Sequence, residues 1–412
     1  SVSLNSMTIE NTTFSGIRGT GVVNFTLTGS TIDSNGHFGD ITNSFPDDSN
    51  VRFDTGVSGT EDNLSGAVTI TGNTLTNATW HGIDIQNFNG TISNATISGN
   101  TLTSGTTTGS SGTSKGSAVR LIANGSATTA ASVTKATLAT NVISNFPGGG
   151  GILTQGGNAN AAGPSGTFGT PGTGNIISIT GNQIHGQSSA NQMGTSAILA
   201  AVSGKGQGNF DISNNGTVAA PLTNMLGTAI GCGTNGDTTS TFIVNNNVIV
   251  ANNTVASQGI GGGTGVTFGA SDTPAMTWTI ANNNVSATDG NGILAVARGT
   301  TGSLRVKIQN NTVAAPLSGV REGIRVDAGN SSSINDSVCL NISGNTSAGS
   351  GGVQGLGLRK QGTVATIDDF GVNGMAATSS PGVESYVDGL NPAGNGTLLL
   401  SATSGFSNCS LP

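Results

Sequence analysis

The sequence predicts an all-β protein, a right-handed parallel β-helix of about eleven coils, and three observations support this prediction. A short phrase of alternating apolar and polar residues, such as VTITGNTL at positions 68–75, recurs along the chain. An asparagine stands three places after the apolar anchor of most copies. The intervals between successive asparagines vary from 27 to 41 residues. A constant motif with a variable period indicates a solenoid whose loops differ in length.

The asparagine is explained by the geometry of a bend between two stacked strands. Inward backbone groups at such a bend have no sheet partner, and burying them without a hydrogen bond is costly. A side-chain amide can supply that bond, and copies from successive coils can stack, as amides do in cross-β structures. We therefore predict an asparagine ladder, with Thr12 and Ser30 replacing asparagine in the first two phrases. Its predicted members are Asn73, Asn100, Asn141, Asn182, Asn215, Asn247, Asn283, Asn311 and Asn345.

A second kind of apolar phrase lies in each interval between the asparagines. HGIDIQN, SAVRLIANG and NGILAVARG are examples. Such runs are short, rich in Ile and Val and bounded by Gly or Asn, which indicates strands and not helices. Two or more strands in each coil, stacked in register about 4.8 Å apart, form the parallel sheets of a β-helix.

Composition and charge argue against two kinds of partner. Only 8% of the 412 residues are charged, yet Ile, Val and Leu recur in regular runs that disordered chains usually lack. The net charge of -7, with 13 basic residues, disfavours nucleic-acid binding. A membrane-spanning helix needs about 18 consecutive apolar residues. The chain has no such run, so we predict no membrane span.

The C-terminal 47 residues break the repeat. We divide the chain into a β-helix at 1–365 and a capping segment at 366–412, in which PGVESYVDGLNP predicts a short helix between two prolines. The alternation of VCLNISGN points Cys339 outward, so a disulfide with Cys409 would fasten the cap to the last coil in an oxidising compartment. Two free surface thiols are the alternative. Cys232 is predicted to face the core as a small buried residue.

The phrases IRGTGVVNFTLTGSTIDSNG, HGIDIQNFNGTISNATISGN and SVCLNISGNTSAGSGG resemble those of bacterial surface and secreted proteins with right-handed parallel β-helix repeats. Autotransporter-like adhesins belong to the same broad group. The resemblance covers most of the chain, from about residue 7 to the end. It implies an extracellular or cell-surface location and an elongated shape. It implies no catalytic residues, because the shared motifs specify architecture.

An acid-rich stretch is the place where chemistry could occur. Asp47, Asp48 and Asp54 lie within residues 33–62, and Asp84 follows one coil later. Two facing carboxylates could hydrolyse a glycosidic bond, and the same oxygens could hold Ca²⁺. A solvated acidic loop is the third explanation. The three histidines share no metal-binding spacing, so we predict no other metal site and no cofactor.

An apolar stripe is expected on the second strand of the coils. If Ile152, Ile198 and Ile293 face the core, their neighbours face outward. Such a stripe is usually covered, either by a partner or by the chain itself. A second copy or a neighbouring domain of a larger surface protein is one possible cover, and the inserts at 103–117 and 157–174 are the other. The stripe comprises Leu153, Leu199, Ala201, Leu294 and Val296.

These observations predict a non-enzymatic extracellular protein with a structural or adhesive role, such as a cell-surface stalk or a filament subunit. The prediction depends on repetition without a recognisable set of catalytic groups. The alternative is a β-helix enzyme or binding protein that acts on polysaccharides, with the acidic residues as its site.

Overall fold

The structure is a computed structural model, and it confirms the parallel β-helix. Three long sheets run along the chain, and every pairing between their strands is parallel. Most coils contribute one strand to each sheet in turn, two coils contribute two strands to the same sheet, and each strand pairs with its counterpart in the next coil. The residues described are 1–34, 49–54, 61–104, 116–126, 128–158, 166–188, 192–236, 238–253, 263–271, 276–299, 302–329, 336–360, 369–376, 379–391, 396–399 and 406–411.

The strands are numbered along the chain from β1 to β38, and the sheets are named A, B and C in the order in which a coil visits them. Sheet A contains β1 Val2–Asn5, β4 Val22–Thr28, β7 Leu64–Thr71, β10 Gly90–Ser98, β13 Ala131–Val133, β14 Ala136–Ala139, β17 Thr167–Phe168, β18 Ile177–Thr180, β21 Gln207–Ser213, β24 Thr239–Asn245, β27 Thr277–Ala281, β30 Ser303–Gln309, β33 Ser337–Ser343, β36 Asp369–Asn373 and β38 Phe406–Cys409. Sheet B contains β2 Thr8–Glu10, β5 Thr31–Asp33, β8 Thr74–Thr76, β11 Thr101–Thr103, β15 Val142–Ser144, β19 Gln183–His185, β22 Leu222–Thr223, β25 Val248–Val250, β28 Asn284–Ser286, β31 Thr312–Val313 and β34 Thr346–Ser347. Sheet C contains β3 Ile17–Arg18, β6 Val51–Phe53, β9 Ile83–Asn87, β12 Val119–Ala123, β16 Ile152–Gly156, β20 Ile198–Ser203, β23 Ile230–Asn235, β26 Val266–Ala270, β29 Ile293–Ala297, β32 Ile324–Ala328, β35 Leu356–Lys360 and β37 Thr397–Leu399.

The core runs along the inside of the three sheets. Alternate residues of each strand point inward, as the pattern of apolar and polar residues predicts. Aromatic rings stack from coil to coil on sheet A: ring centroids lie 5.1 Å apart between Phe210 and Phe242, and 4.8 Å apart between Phe242 and Trp278. The side chains of all three are fully buried. Cys232 is also buried and is not in a disulfide, as predicted.

The predicted asparagine ladder is present between sheets A and B. Asn141 shows the pattern: its backbone N–H and its Nδ2 both donate to Oδ1 of Asn182, at 3.0 and 2.9 Å. Its Nδ2 also donates to the carbonyl oxygen of Ile97 in the preceding coil, at 3.0 Å. The side-chain bond repeats at 2.9 or 3.0 Å from Asn73 to Asn345, so each amide satisfies groups in the coils on both sides.

Sequence reasoning placed one end of this ladder wrongly and missed the other. Thr12 is not a ladder position, because its phrase forms β2 in sheet B; the equivalent position is Met7, whose N–H donates to Oγ of Ser30 at 3.1 Å. Each position of the ladder is called a rung below. Ser30 does occupy a rung, since its own N–H donates to Oδ1 of Asn73 at 2.9 Å. Asn391 continues the ladder beyond Asn345, from which its Oδ1 accepts two hydrogen bonds.

The residue before each rung from Ser30 to Asn345 has a left-handed backbone conformation. Gly72, Asn246 and Asn282 are examples, with φ of 65°, 54° and 54°. Glycine and asparagine tolerate this region, which explains the recurring TGN and NNN sequences. The same geometry resolves the run of three asparagines at 245–247, because the second takes the left-handed position and Asn247 forms the rung. Thr140 departs from the pattern, since it is β-branched and has φ of 53°.

The C-terminal segment contains the predicted helix, α1 Ser380–Leu390, but the stacking does not stop at residue 365. Strands β36 and β38 continue sheet A, and β37 continues sheet C. The predicted disulfide joins Cys339 to Cys409, so it fastens β38 to the outer surface of sheet A. Within the described ranges, no helix combines the length and the apolar composition that crossing a bilayer requires.

Candidate functional site

The outer face of sheet C carries the residues that sequence reasoning proposed for function. Because side chains alternate along a strand, the residue after each buried anchor points outward, and the parallel register places these residues in one row along the coils. The row begins with charged residues, continues with uncharged ones and becomes charged again. In order, its members are Arg18, Arg52, Asp84, Arg120, Leu153, Leu199, Gly231, Thr267, Leu294, Arg325 and Gly357.

The first charged part is an ion-pair cluster centred on Arg120. Its Nε and Nη2 donate to the two carboxylate oxygens of Asp84, at 2.6 and 2.8 Å. Its Nη2 also donates to Oδ2 of Asp54, at 2.8 Å. Burial lowers the pKa of Arg120, but the two carboxylates more than offset this effect and raise it above its usual value. The charged guanidinium of Arg120 therefore lies between the two carboxylates and is bonded to both.

This arrangement bears on the proposed acidic site. Asp54 and Asp84 do lie together, as predicted, but Arg120 stands between them and binds both. A guanidinium thus fills the position that a Ca²⁺ ion between these two carboxylates would need. In the part of the chain that the structure describes, no group of three or more His, Cys, Asp or Glu side chains could hold a metal ion. Asp47 and Asp48 lie outside the described residues.

His81 lies next to this cluster and is held by the backbone. Its Nδ1 accepts a hydrogen bond from the N–H of Ser117 at 2.9 Å. Burial lowers the pKa of His81 to about 4, which the nearby Asp84 only partly opposes. The imidazole is neutral at pH 7, and its basic nitrogen is already occupied. We therefore assign His81 a structural role in the turn before β9.

A second ion-pair cluster lies at the other end of the face, and sequence reasoning missed it. The buried carboxylate of Asp327 accepts from Nε of Arg325 and from Nε of Arg359, both at 2.9 Å. Glu322 lies 3.8 Å from Arg325. The available signal was the arginine in the phrases REGIRVDAG and QGLGLRKQG: Arg359 lies two strand positions after the equivalent of Arg325, on the same face and opposite Asp327.

The apolar stripe between the two clusters is only partly open. Ile152, Ile198 and Ile293 face the core, as predicted. Leu294 and Val296 nevertheless have exposed fractions of only 8% and 0%, which favours the second alternative for these two, cover by the chain itself. The protein's own chain encloses these two side chains, which leaves them unable to contact a second molecule. Leu153, Leu199 and Ala201 remain partly exposed. Most of the two inserts proposed as a cover lies outside the described residues.

A cleft of about 470 Å³ opens beside Leu199 and Ala201. Its floor includes Gly231, Gly233 and Gly269, which lie on β23 and β26. Leu226 adds an apolar surface from the turn before β23. Hydroxyl groups complete the lining and come from Thr195, Ser196, Thr228, Thr267 and Ser271.

Of the floor glycines, Gly269 is the one whose position leaves room for a side chain, and Gly233 has one close backbone neighbour. Neither Gly233 nor Gly269 has a left-handed φ. A Cβ added at Gly269 would meet no atom within 4 Å, and one at Gly233 would meet only the carbonyl oxygen of Gly269, at 3.3 Å. Glycine in a strand usually costs stability and marks a close approach by a ligand or another backbone. These two glycines keep the floor of the cleft open.

The lining of the cleft is uncharged in the part of the chain that the structure describes. It contains apolar, glycine and hydroxyl-bearing residues, together with Cys232. Burial raises the pKa of the Cys232 thiol well above its usual range, so the thiol is neutral at pH 7. Thr228, Thr264 and Thr267 form a hydroxyl cluster at this wall, with Oγ1 atoms 3.0 Å apart between Thr228 and Thr267. The cleft thus offers apolar contact and hydrogen bonds.

Comparisons with known proteins add no relatives to this description. No family model matches the chain, and no curated protein or solved structure is significantly similar to it.

Proposed function

We propose that this protein is a non-enzymatic extracellular β-helix with a structural or adhesive role, of the kind found on bacterial surfaces. One observation carries the proposal: on the outer face of sheet C, Asp54, Asp84 and Asp327 are bound by arginines, and the described residues that line the cleft between the clusters are uncharged. General acid–base catalysis needs a positioned group that can exchange a proton with the substrate. A face built in this way suits binding without chemical change.

The hydrogen bonds between the coils support a structural role. The ladder extends from Ser30 to Asn391 without a missing rung, and each rung links neighbouring coils through buried amides. With coils about 4.8 Å apart, eleven rungs correspond to a stack roughly 50 Å long. Such continuous hydrogen bonding resists separation of the coils.

The disulfide supports an extracellular location. Bonds such as Cys339–Cys409 form and persist in oxidising environments, and they are rare where glutathione keeps thiols reduced. A surface protein would also gain from the fastening of its C-terminal strands, because local opening there would expose the edges of the sheets.

The test measures binding and turnover together. Purified protein is incubated with a panel of soluble polysaccharides; affinity electrophoresis reports binding, while polymer size and new chain ends report cleavage. We expect no polymer to be shortened. Shortening that disappears in Asp54→Asn and Asp84→Asn would establish the competing polysaccharide-degrading function and would refute the proposal.

A further inference from the structure

The cleft on the outer face of sheet C has features that the scaffold does not explain. The scaffold explains glycines that are buried or that have a left-handed φ. Gly233 and Gly269 are only partly buried and have no left-handed φ. A valine or threonine at Gly269 would suit a strand better, and its Cβ would meet no atom of the described residues within 4 Å. The space is therefore kept free at a cost in stability, which is expected where a ligand approaches the sheet closely.

The chemistry of the lining narrows the class of ligand. Arg120 and Asp327 belong to the clusters on either side, and among the described residues that line the cleft none has an ionised side chain to neutralise a charged ligand. Burying an unpaired charge against it would be costly, so the ligand is uncharged. The ligand would make apolar contact with Leu199, Ala201 and Leu226. The lining also offers hydroxyl groups, among them those of Thr195 and Ser271.

We propose that this cleft binds an uncharged saccharide, as part of the adhesive role proposed above, on which this inference rests. A pyranose ring has apolar C–H faces and a rim of hydroxyl groups. The apolar part of the lining matches the faces, and the threonine and serine hydroxyls match the rim. The volume of about 470 Å³ lies within the usual range for small-ligand sites, about 300–1,000 Å³. The cleft is thus large enough for a short glycan segment.

Two glycine substitutions test whether the cleft is the saccharide-binding site. Gly269→Leu places a side chain in the open floor, and Gly174→Leu is the matched control, since a Cβ at Gly174 also meets no atom within 4 Å and its φ is ordinary. Wild type and both variants are applied to an array of neutral, amino and acidic glycans. We expect the wild type and the control to bind neutral glycans. In the Gly269→Leu variant we expect about a tenfold or greater loss of affinity, at an unchanged unfolding midpoint.

A third substitution tests whether a hydroxyl group of the lining contributes to saccharide binding. Thr267→Val removes one lining hydroxyl and retains the shape of the side chain. It should weaken binding of neutral glycans and leave binding of an apolar probe such as cyclohexane unchanged. Binding of cyclohexane without any glycan would overturn the saccharide assignment, as would binding restricted to acidic glycans.

The outcomes separate this inference from the proposed function. If Gly269→Leu binds neutral glycans as tightly as the wild type, the cleft is not the site, although an adhesive role survives. If the wild type binds no glycan of any class, the saccharide inference fails. The absence of polymer cleavage would still support a non-enzymatic role. Cleavage of a polysaccharide would refute the proposed function directly.

Discussion

Replacing Asn182 by alanine tests the asparagine ladder at a central rung. The Asn182 side chain is fully buried and makes four hydrogen bonds. Its Oδ1 accepts from the backbone N–H and Nδ2 of Asn141, at 3.0 and 2.9 Å. Its Nδ2 donates to the carbonyl of Leu138 and to Oδ1 of Asn215, both at 2.9 Å. At about 1 kcal/mol net for each bond, the substitution should lower the free energy of unfolding by about 4 kcal/mol.

Two measurements check this value. Denaturant unfolding gives the change in free energy, and amide hydrogen exchange should show that the N–H of Asn141 loses protection. Asn284→Ala is the control, because Asn284 is exposed at the start of β28 and forms no rung. We expect the control to change stability by less than about 0.5 kcal/mol. Equal effects of the two substitutions would refute the reasoning that the ladder holds the coils together.

Three further predictions concern the backbone, the disulfide and the buried charges. Thr140→Asn should stabilise the protein by about 1 kcal/mol, since asparagine tolerates a left-handed φ of 53° better than a β-branched residue, and thermal unfolding measures the gain. Reducing the disulfide, which joins residues 70 positions apart, should lower unfolding stability by about 4 kcal/mol on the chain-entropy model. His81 has a pKa of about 4 in the folded protein, against an ordinary value of 6.5, so stability should decline as pH falls below 6.5, by a total of about 3 kcal/mol once the pH is below 4.

Each of these predictions has a matched control. Thr137→Asn changes an exposed strand residue two positions before Ala139 and should bring no gain. Cys232→Ala should leave the effect of reductant unchanged, because Cys232 is not in a disulfide. In His81→Gln, the decline between pH 6.5 and 4 should be shallower; an unchanged pH profile would show that another group causes it.

Much of the scaffold could be predicted because it depends on local rules that repeat. An apolar anchor, a left-handed residue and an asparagine define one bend, and each requirement is visible within a few residues, as in Ile70, Gly72 and Asn73. Repetition then strengthens a weak local signal. Cys339 could be oriented in the same way, since alternation from Ile342 points it outward.

The errors arose where position depends on contacts between distant parts of the chain. Thr12 was placed on the ladder because its phrase resembles the others, but sheet pairing assigns that phrase to sheet B. Asn391 follows a helix and not a strand, so no repeat marked it as a rung, although its Oδ1 accepts from Asn345. Leu294 and Val296 alternate like exposed residues, yet the folded chain covers them.

The sequence by itself determined that the chain forms a stacked β-structure and which amides link its coils, because strand alternation and bend geometry are encoded by residues close together. Only the tertiary structure decided what the outer face of sheet C presents. Asp84 and Arg120 are 36 positions apart, and Gly233 and Gly269 are equally far apart, yet parallel pairing makes each pair neighbours. Loop lengths between strands set that register, and no local pattern specifies which loops leave a cleft open.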